Sequence, residues 1–173
     1  MTGSRVRRLE PELLLDVLMA HDVDYLVVGG FAVAAHGFPR ATKDIDICPE
    51  PSDANLGHLV DALEELRAEP IGLDEFEGGF DVAPDLEGLK TGGNSVLNTK
   101  HGRLDVMQYL KGLGDDGGGW AELRPHAQTR NFLGHEVLFC SYEDLVRMKA
   151  AAGRDQDLVD VRTLKAQRRD LTE

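Results

Sequence analysis

The sequence predicts an α/β (α+β) fold in which a mixed β-sheet is flanked by helices and completed by further helices near the C-terminal end. Three observations lead to it: a short apolar strand running into Gly29-Gly30 and a helix, a strictly alternating strand at residues 43–48, and helical periodicity at both ends of the chain. The 173 residues suffice for one domain with a real core. The expectation is a single domain over residues 1–173, with its core at about 10–140 and a C-terminal helical part at about 141–170.

Taken in order, Leu13, Leu14, Val17 and Leu18 recur at helical spacing between Glu10 and His21, the signature of an amphipathic helix. Asp24 to Val28 is a short β-rich run that stops at Gly29-Gly30, and Phe31 to His36 reads as an alanine-rich helix ended by Gly37. Lys43 to Cys48 alternates, with Ile45 and Ile47 on one face and Asp44 and Asp46 on the other, before Pro49 and Pro51 end the strand. Ser52 and Asp53 cap a helix to about Leu66 whose stripe is Leu56, Leu59, Val60, Leu63 and Leu66.

Pro70 to Gly93, rich in glycine and acids, reads as a flexible region carrying short strands at Ile71-Gly72-Leu73 and Phe80-Asp81-Val82. Residues 95–98 and 103–107 form a hairpin turning at His101-Gly102, and Gly112 to Gly119 reads as a mobile loop. His135 to Phe139 is a further strand. Ser141 caps a helix to about Ala152, Gly153 breaks it, and Gln156 to Arg168 forms a last helix with Leu158, Val161 and Leu164 inward.

Composition narrows the function classes. With 31 acidic against 19 basic residues and a net charge of −12, broad electrostatic coating of DNA or of an anionic membrane is excluded. No long apolar run marks a membrane span, so no membrane and no DNA partner is expected. Cys48 and Cys140 are too few for a disulfide framework, which makes a reducing cytoplasmic setting the expectation.

The chemistry concentrates between Val28 and Ile47. Gly29-Gly30 at a helix start lets backbone approach a phosphate closely. Asp44 and Asp46 lie one pleat apart on one strand face, where like charges repel unless a cation joins them, and a divalent metal taking oxygen ligands meets that need. Read alone, Asp-Ile-Asp is equally a solvated edge-strand face and Gly-Gly an ordinary turn. Together they point to metal and nucleotide.

The segment Val28-Gly29-Gly30, thirteen residues, Asp44-Ile45-Asp46 resembles the signature of the nucleotidyltransferase superfamily with the DNA polymerase β-like palm. With Phe31-Ala32, His36-Gly37, Arg40, Thr42 and Ile47 it looks more narrowly like the AbiEii and MenT branch of bacterial toxins, and it is also similar to small antibiotic-modifying nucleotidyltransferases. The resemblance implies a minimal nucleotidyltransferase fold, an NTP substrate and Mg²⁺ or Mn²⁺ held by Asp44, Asp46 and a third carboxylate, for which Asp105 fits by position. Asp105 would also help deprotonate the acceptor hydroxyl.

Met148 to Asp160 resembles a branch motif in which a helix lysine precedes Arg and Asp-x-x-Asp. It implies Lys149 on the triphosphate and Asp157 orienting Lys149 or touching the nucleotide, with Asp160 the weaker alternative. Gly29, Gly30 and Arg40 complete the expected nucleotide contacts, although Arg40 reads as readily as a surface residue. Thr42 is a candidate regulatory site, because a phosphate there would repel the incoming triphosphate. His36 reads as a packing or cap residue.

The toxin resemblance implies a tRNA acceptor modified at its 3′ end and a cognate antitoxin. Arg5, Arg7, Arg8, Lys165, Arg168 and Arg169 are the residues for a local basic rim. The alternatives are transfer to a small hydroxylated antibiotic and a non-catalytic nucleotide-binding module.

Overall fold

The computed structural model describes residues 7–71 and 82–172. The described elements are α1 (Pro11–Ala20), β1 (Tyr25–Val28), α2 (Gly29–Ala35), β2 (Asp44–Pro49), α3 (Asp53–Glu65), β3 (Glu69–Pro70), α4 (Leu86–Lys90), β4 (Ser95–Thr99), β5 (Gly102–Val106), α5 (Trp120–Leu123), a 3-10 turn at Arg124–His126, β6 (Gln128–Phe132), β7 (His135–Phe139), α6 (Tyr142–Ala152) and α7 (Asp155–Asp170). The seven described strands form one sheet in the order β3-β4-β5-β2-β1-β7-β6. β2 with β5 and β1 with β7 run parallel and the other neighbours antiparallel, so the sheet is mixed as expected.

The alternation on β2 is realised as read. Ile45 and Ile47 are buried in the apolar core with Leu26, Leu104 and Val106, while Asp44 and Asp46 are half-buried on the opposite face. Ser52 caps α3 by accepting a hydrogen bond from the Asn55 amide, and Ser141 caps α6 through the Asp144 amide. α3 buries Leu56, Leu59 and Leu63 with Leu66 just beyond its end; Val60 is half-buried at the stripe's margin.

Several elements differ from the sequence reading. On α1 the inward stripe includes Leu15, 1% exposed, whereas Leu13 is 42% exposed, because the face packed towards α3 is rotated by one position. On α7 Leu158 is 44% exposed; Asp157 and Asp160 take the inward positions beside Val161 and Leu164, drawn there by ion pairs described below. Within the glycine-rich region, α4 is a short helix capped by Asp85, whose carboxylate accepts from the Gly88 amide. The strand readings at Ile71-Gly72-Leu73 and Phe80-Asp81-Val82 fall largely outside the described residues.

The Gly112–Gly119 loop is pinned rather than loose. Leu110 and Gly118 exchange backbone hydrogen bonds at 2.8 and 3.0 Å, Leu113 is buried, and the Tyr109 hydroxyl donates to the Asp116 carbonyl. β6, unpredicted, pairs antiparallel with β7 across a two-residue turn in which Leu133 and Gly134 both have positive φ, 52° and 82°.

Candidate active site

The expected residues meet on one face of the sheet. Parallel pairing of β2 with β5 sets Asp44 opposite Arg103 and Asp46 opposite Asp105, so three carboxylates and a guanidinium share the same pleats. β1 lies on the other side of β2, with Val28 opposite Asp46, and hands the chain straight to α2. Gly29 adopts φ +69°, and a Cβ there would lie 2.1 Å from Asp46 Oδ2. Only a glycine lets the backbone pass this close to the carboxylate. A Cβ on Gly30 would meet the Thr42 methyl at 2.5 Å, so the second glycine gives the segment before β2 room to fold back.

These groups line a cleft of about 510 Å³ that also takes in Arg40, Thr42, Lys149, Arg154 and Asp157. Thr42 lies just before β2 and not within it, yet it reaches the same cleft. The carboxylates carry a clear electrostatic strain. Burial, then the negative charges of Asp105 and Asp44, push Asp46 well above the ordinary carboxylate range. Asp105, 5% exposed, is raised chiefly by burial, opposed by its hydrogen bond and charge interaction with Arg103. The two carboxylates act on each other: the charge of Asp105 raises Asp46, and that of Lys149 opposes the rise.

Opposite them α6 and α7 deliver a second set of charges. Lys149, 7% exposed, places its Nζ 3.0 Å from both Asp157 Oδ1 and Asp160 Oδ2. Arg154 donates from Nε to Asp157 Oδ2 at 2.7 Å, and Arg40 donates to Asp160 Oδ2 at 3.0 Å. Burial works against ionisation of Asp157, yet the hydrogen bonds from Arg154 and Lys149 hold it below its ordinary pKa. Gly153, at φ +67°, ends α6 in a left-handed turn and starts α7 within reach of Lys149.

Among the described residues, no three His, Cys, Asp or Glu side chains converge in a ready metal-binding arrangement. The donor chemistry of Asp44, Asp46 and Asp105 nevertheless fits a hard divalent cation: oxygen ligands only, too many negative charges and raised proton affinity.

No protein-family profile matches the chain, and no curated protein matches it by sequence. Solved structures do. A lincosamide antibiotic adenylyltransferase, LnuA, in its lincomycin-bound crystal structure superposes with a TM-score of 0.59 at 16% identity, covering 91% of this chain and 97% of that one. A candidate nucleotidyltransferase from Thermotoga maritima gives 0.51 at 16% identity, covering 98% and 99%. The chain has the nucleotidyltransferase fold.

Within that fold the sequence reading brought Gly29, Gly30, Arg40, Thr42, Asp44, Asp46, Asp105, Lys149 and Asp157 to one cleft. It assigned no role to Arg103, Arg154, Lys43 or Lys111, which also line it, and it ranked Asp160 behind Asp157 although both hold Lys149. Two signals were present: Arg103 lies two residues from Asp105 on one strand face, and Asp157 and Asp160 occupy apolar-stripe positions of a helix. His36 is a packing residue, sharing a hydrogen bond of 2.8 Å with the Cys140 carbonyl and set edge-on to Tyr142. Of the expected basic rim, Arg168 is committed to Glu143 at 2.7 Å and lies over the Tyr142 ring, and Arg5 is outside the described residues. Six cations line the cleft itself against four carboxylates, so its lining is locally positive on a chain of net charge −12.

Proposed function

We propose that the chain transfers a nucleoside monophosphate from an NTP to a hydroxyl acceptor and releases pyrophosphate. The observation that carries this reading is one cleft with a carboxylate cluster on β2 and β5 facing a cationic cluster from α6, α7 and Arg40. An acceptor oxygen attacks the α-phosphorus, the bond from that phosphorus to the bridging oxygen of pyrophosphate breaks, and the acceptor proton leaves to a base. Asp105 is the base on this reading, already raised in proton affinity by burial.

Asp44, Asp46 and Asp105 would hold Mg²⁺ or Mn²⁺, which supplies Lewis-acid stabilisation of the attacking and leaving oxygens. Arg40, Arg154 and Lys149 bind and orient the triphosphate. Arg40 suits that task because its Nε is buried without a hydrogen-bond partner among the described residues, a donor that an incoming phosphate oxygen would satisfy. Asp157 and Asp160 position Lys149, and Gly29 and Gly30 let the backbone approach the nucleotide. Thr42 is the candidate point of control: Thr42→Glu would set a negative charge beside Asp44 and is expected to abolish transfer, measured as incorporation of labelled nucleotide.

For the acceptor we favour the 3′ end of a tRNA, within a toxin and antitoxin pair in the cytoplasm. The positive lining of the cleft supports an anionic acceptor and speaks against a cationic aminoglycoside. A second reading, transfer to a small hydroxylated antibiotic, draws support from the likeness of fold to LnuA across nearly the whole of both chains. Incubation with each labelled NTP, Mg²⁺ and either total tRNA or a lincosamide separates the two by where the label goes. Absence of label on both, for all four NTPs, would sink both transfer readings and leave a nucleotide-binding module.

A further inference from the structure

Arg103 and Asp105 stand two residues apart on β5, and both face the cleft. The guanidinium donates from Nε to Asp105 Oδ1 at 2.9 Å and from its second terminal nitrogen to Oδ2 at 3.0 Å. One fork therefore engages both oxygens of that carboxylate, the geometry that makes arginine–carboxylate pairs strong and directional. The same Nε lies 3.6 Å from Asp44 Oδ2, so the guanidinium spans two of the three carboxylates. Its side chain is only 22% exposed, so this is a partly desolvated pair and not a solvated surface contact.

Two observations set the question. The three carboxylates lie on adjacent pleats, yet no metal-ready grouping exists among the described residues. The cation that the cluster does contain is a side chain of the chain itself. A guanidinium bound to both oxygens of Asp105 and a divalent cation bound to that carboxylate cannot coexist without strong like-charge repulsion at short range.

Resting on the reading that this cleft holds a divalent cation, we propose that Arg103 is the resident counter-ion of the carboxylate cluster and is displaced from Asp105 when the metal enters. In the metal-free protein Arg103 keeps the like charges together; in the loaded protein it leaves Asp105 while still lining the cleft. It acts through the carboxylates and is thus a positioning residue. Because coupling between two ligands of one site is reciprocal, a metal that expels Arg103 must bind more weakly for having done so.

The test is the affinity of the purified full chain for Mn²⁺ without nucleotide, read from the spin-resonance signal of free Mn²⁺. Arg103→Gln is expected to bind Mn²⁺ roughly 5–150-fold more tightly than the native chain, the usual span of coupling between two sites. Arg103→Lys, which keeps the charge but loses the fork, is expected to fall between them. Thermal midpoints with and without Mn²⁺ give a second readout: the metal should stabilise Arg103→Gln more than the native protein. If Arg103→Gln does not fold, Arg103→Lys decides alone, since affinity equal to or weaker than native overturns the inference. Equal or weaker binding by Arg103→Gln overturns it as well, as does a native chain and variants that take up no Mn²⁺. A chain that transfers no nucleotide but shows the tightening loses the proposed function and keeps this inference; transfer without tightening does the reverse.

Discussion

The cleft contains two ion clusters that solve the same problem in opposite ways. At α6 and α7, Lys149 and Arg154, with Arg40 from the segment before β2, meet Asp157 and Asp160, leaving one cation in excess, and every carboxylate has a donor at about 3 Å. On β2 and β5, among the described residues, Arg103 is the cation ion-paired with Asp44 and Asp105, so Asp44, Asp46, Asp105 and Arg103 together carry two net negative charges. The titration behaviour follows: Asp157 is held low by its partners, whereas Asp46 and Asp105 are driven up. A satisfied buried cluster fixes geometry, and an unsatisfied one is a demand for a ligand. On the proposed function, the helical cluster would hold the phosphate-binding cations in place and the strand cluster would receive positive charge.

The largest way to break this contrast is to remove a strand carboxylate. Asp46→Asn should cut nucleotide transfer by about three orders of magnitude or more, measured by incorporation of label. Yet it should raise the thermal midpoint of the metal-free protein, because it relieves repulsion instead of breaking a pair. Asp44→Ala should likewise abolish transfer while preserving the fold.

The mirror experiment takes the cation from the helical cluster. Lys149→Met leaves Asp157 and Asp160 buried with fewer partners and is expected to cost about 3 kcal/mol. For a chain of this size that is a fall of roughly 6–12 °C in melting temperature, measured calorimetrically. An unchanged midpoint would mean that Arg40 and Arg154 alone satisfy both carboxylates.

The smallest effect is in the pH dependence of stability without metal, where the clusters should pull in opposite directions. Asp157 has a lowered folded-state pKa, so its contribution is present above the unfolded value and lost as pH falls through the folded one. Asp46 and Asp105 have raised folded-state values, so their contribution is present below the unfolded value and lost as pH rises through the folded ones. Thermal melts in chelator should show both limbs. Asp46→Asn should flatten the upper limb and leave the acid limb unchanged.

What could be read from sequence follows the range of the interactions involved. β2 was legible because alternation is local, and Ser52 and Ser141 because a cap lies three residues from its partner. Lys149 and Asp157 were found through motif spacing. β6 was not legible: Gln128 to Asn131 are all exposed, so the strand has no apolar period of its own and exists through pairing with β7. Asp160 was undervalued because its worth depends on Arg40, 120 residues away in sequence. Leu158 was misplaced for the same reason, since apolar periodicity on α7 is overridden by two carboxylates whose partners lie on other elements.

The turn of the β4–β5 hairpin bears on the cleft although its own residues do not line it. Thr99 and Gly102 are paired at its end, Gly102 has φ +107°, and a Cβ there would strike the backbone of Leu9 at 2.7 Å. This turn and the pairing with β2 together hold the phase of β5, and the phase decides which side chains face the cleft. A one-residue slip of β5 in its pairing would send Asp105 into the apolar layer and bring Leu104 out in its place. The 99–102 turn and the β2 pairing thus act together to keep Asp105 on the cleft face.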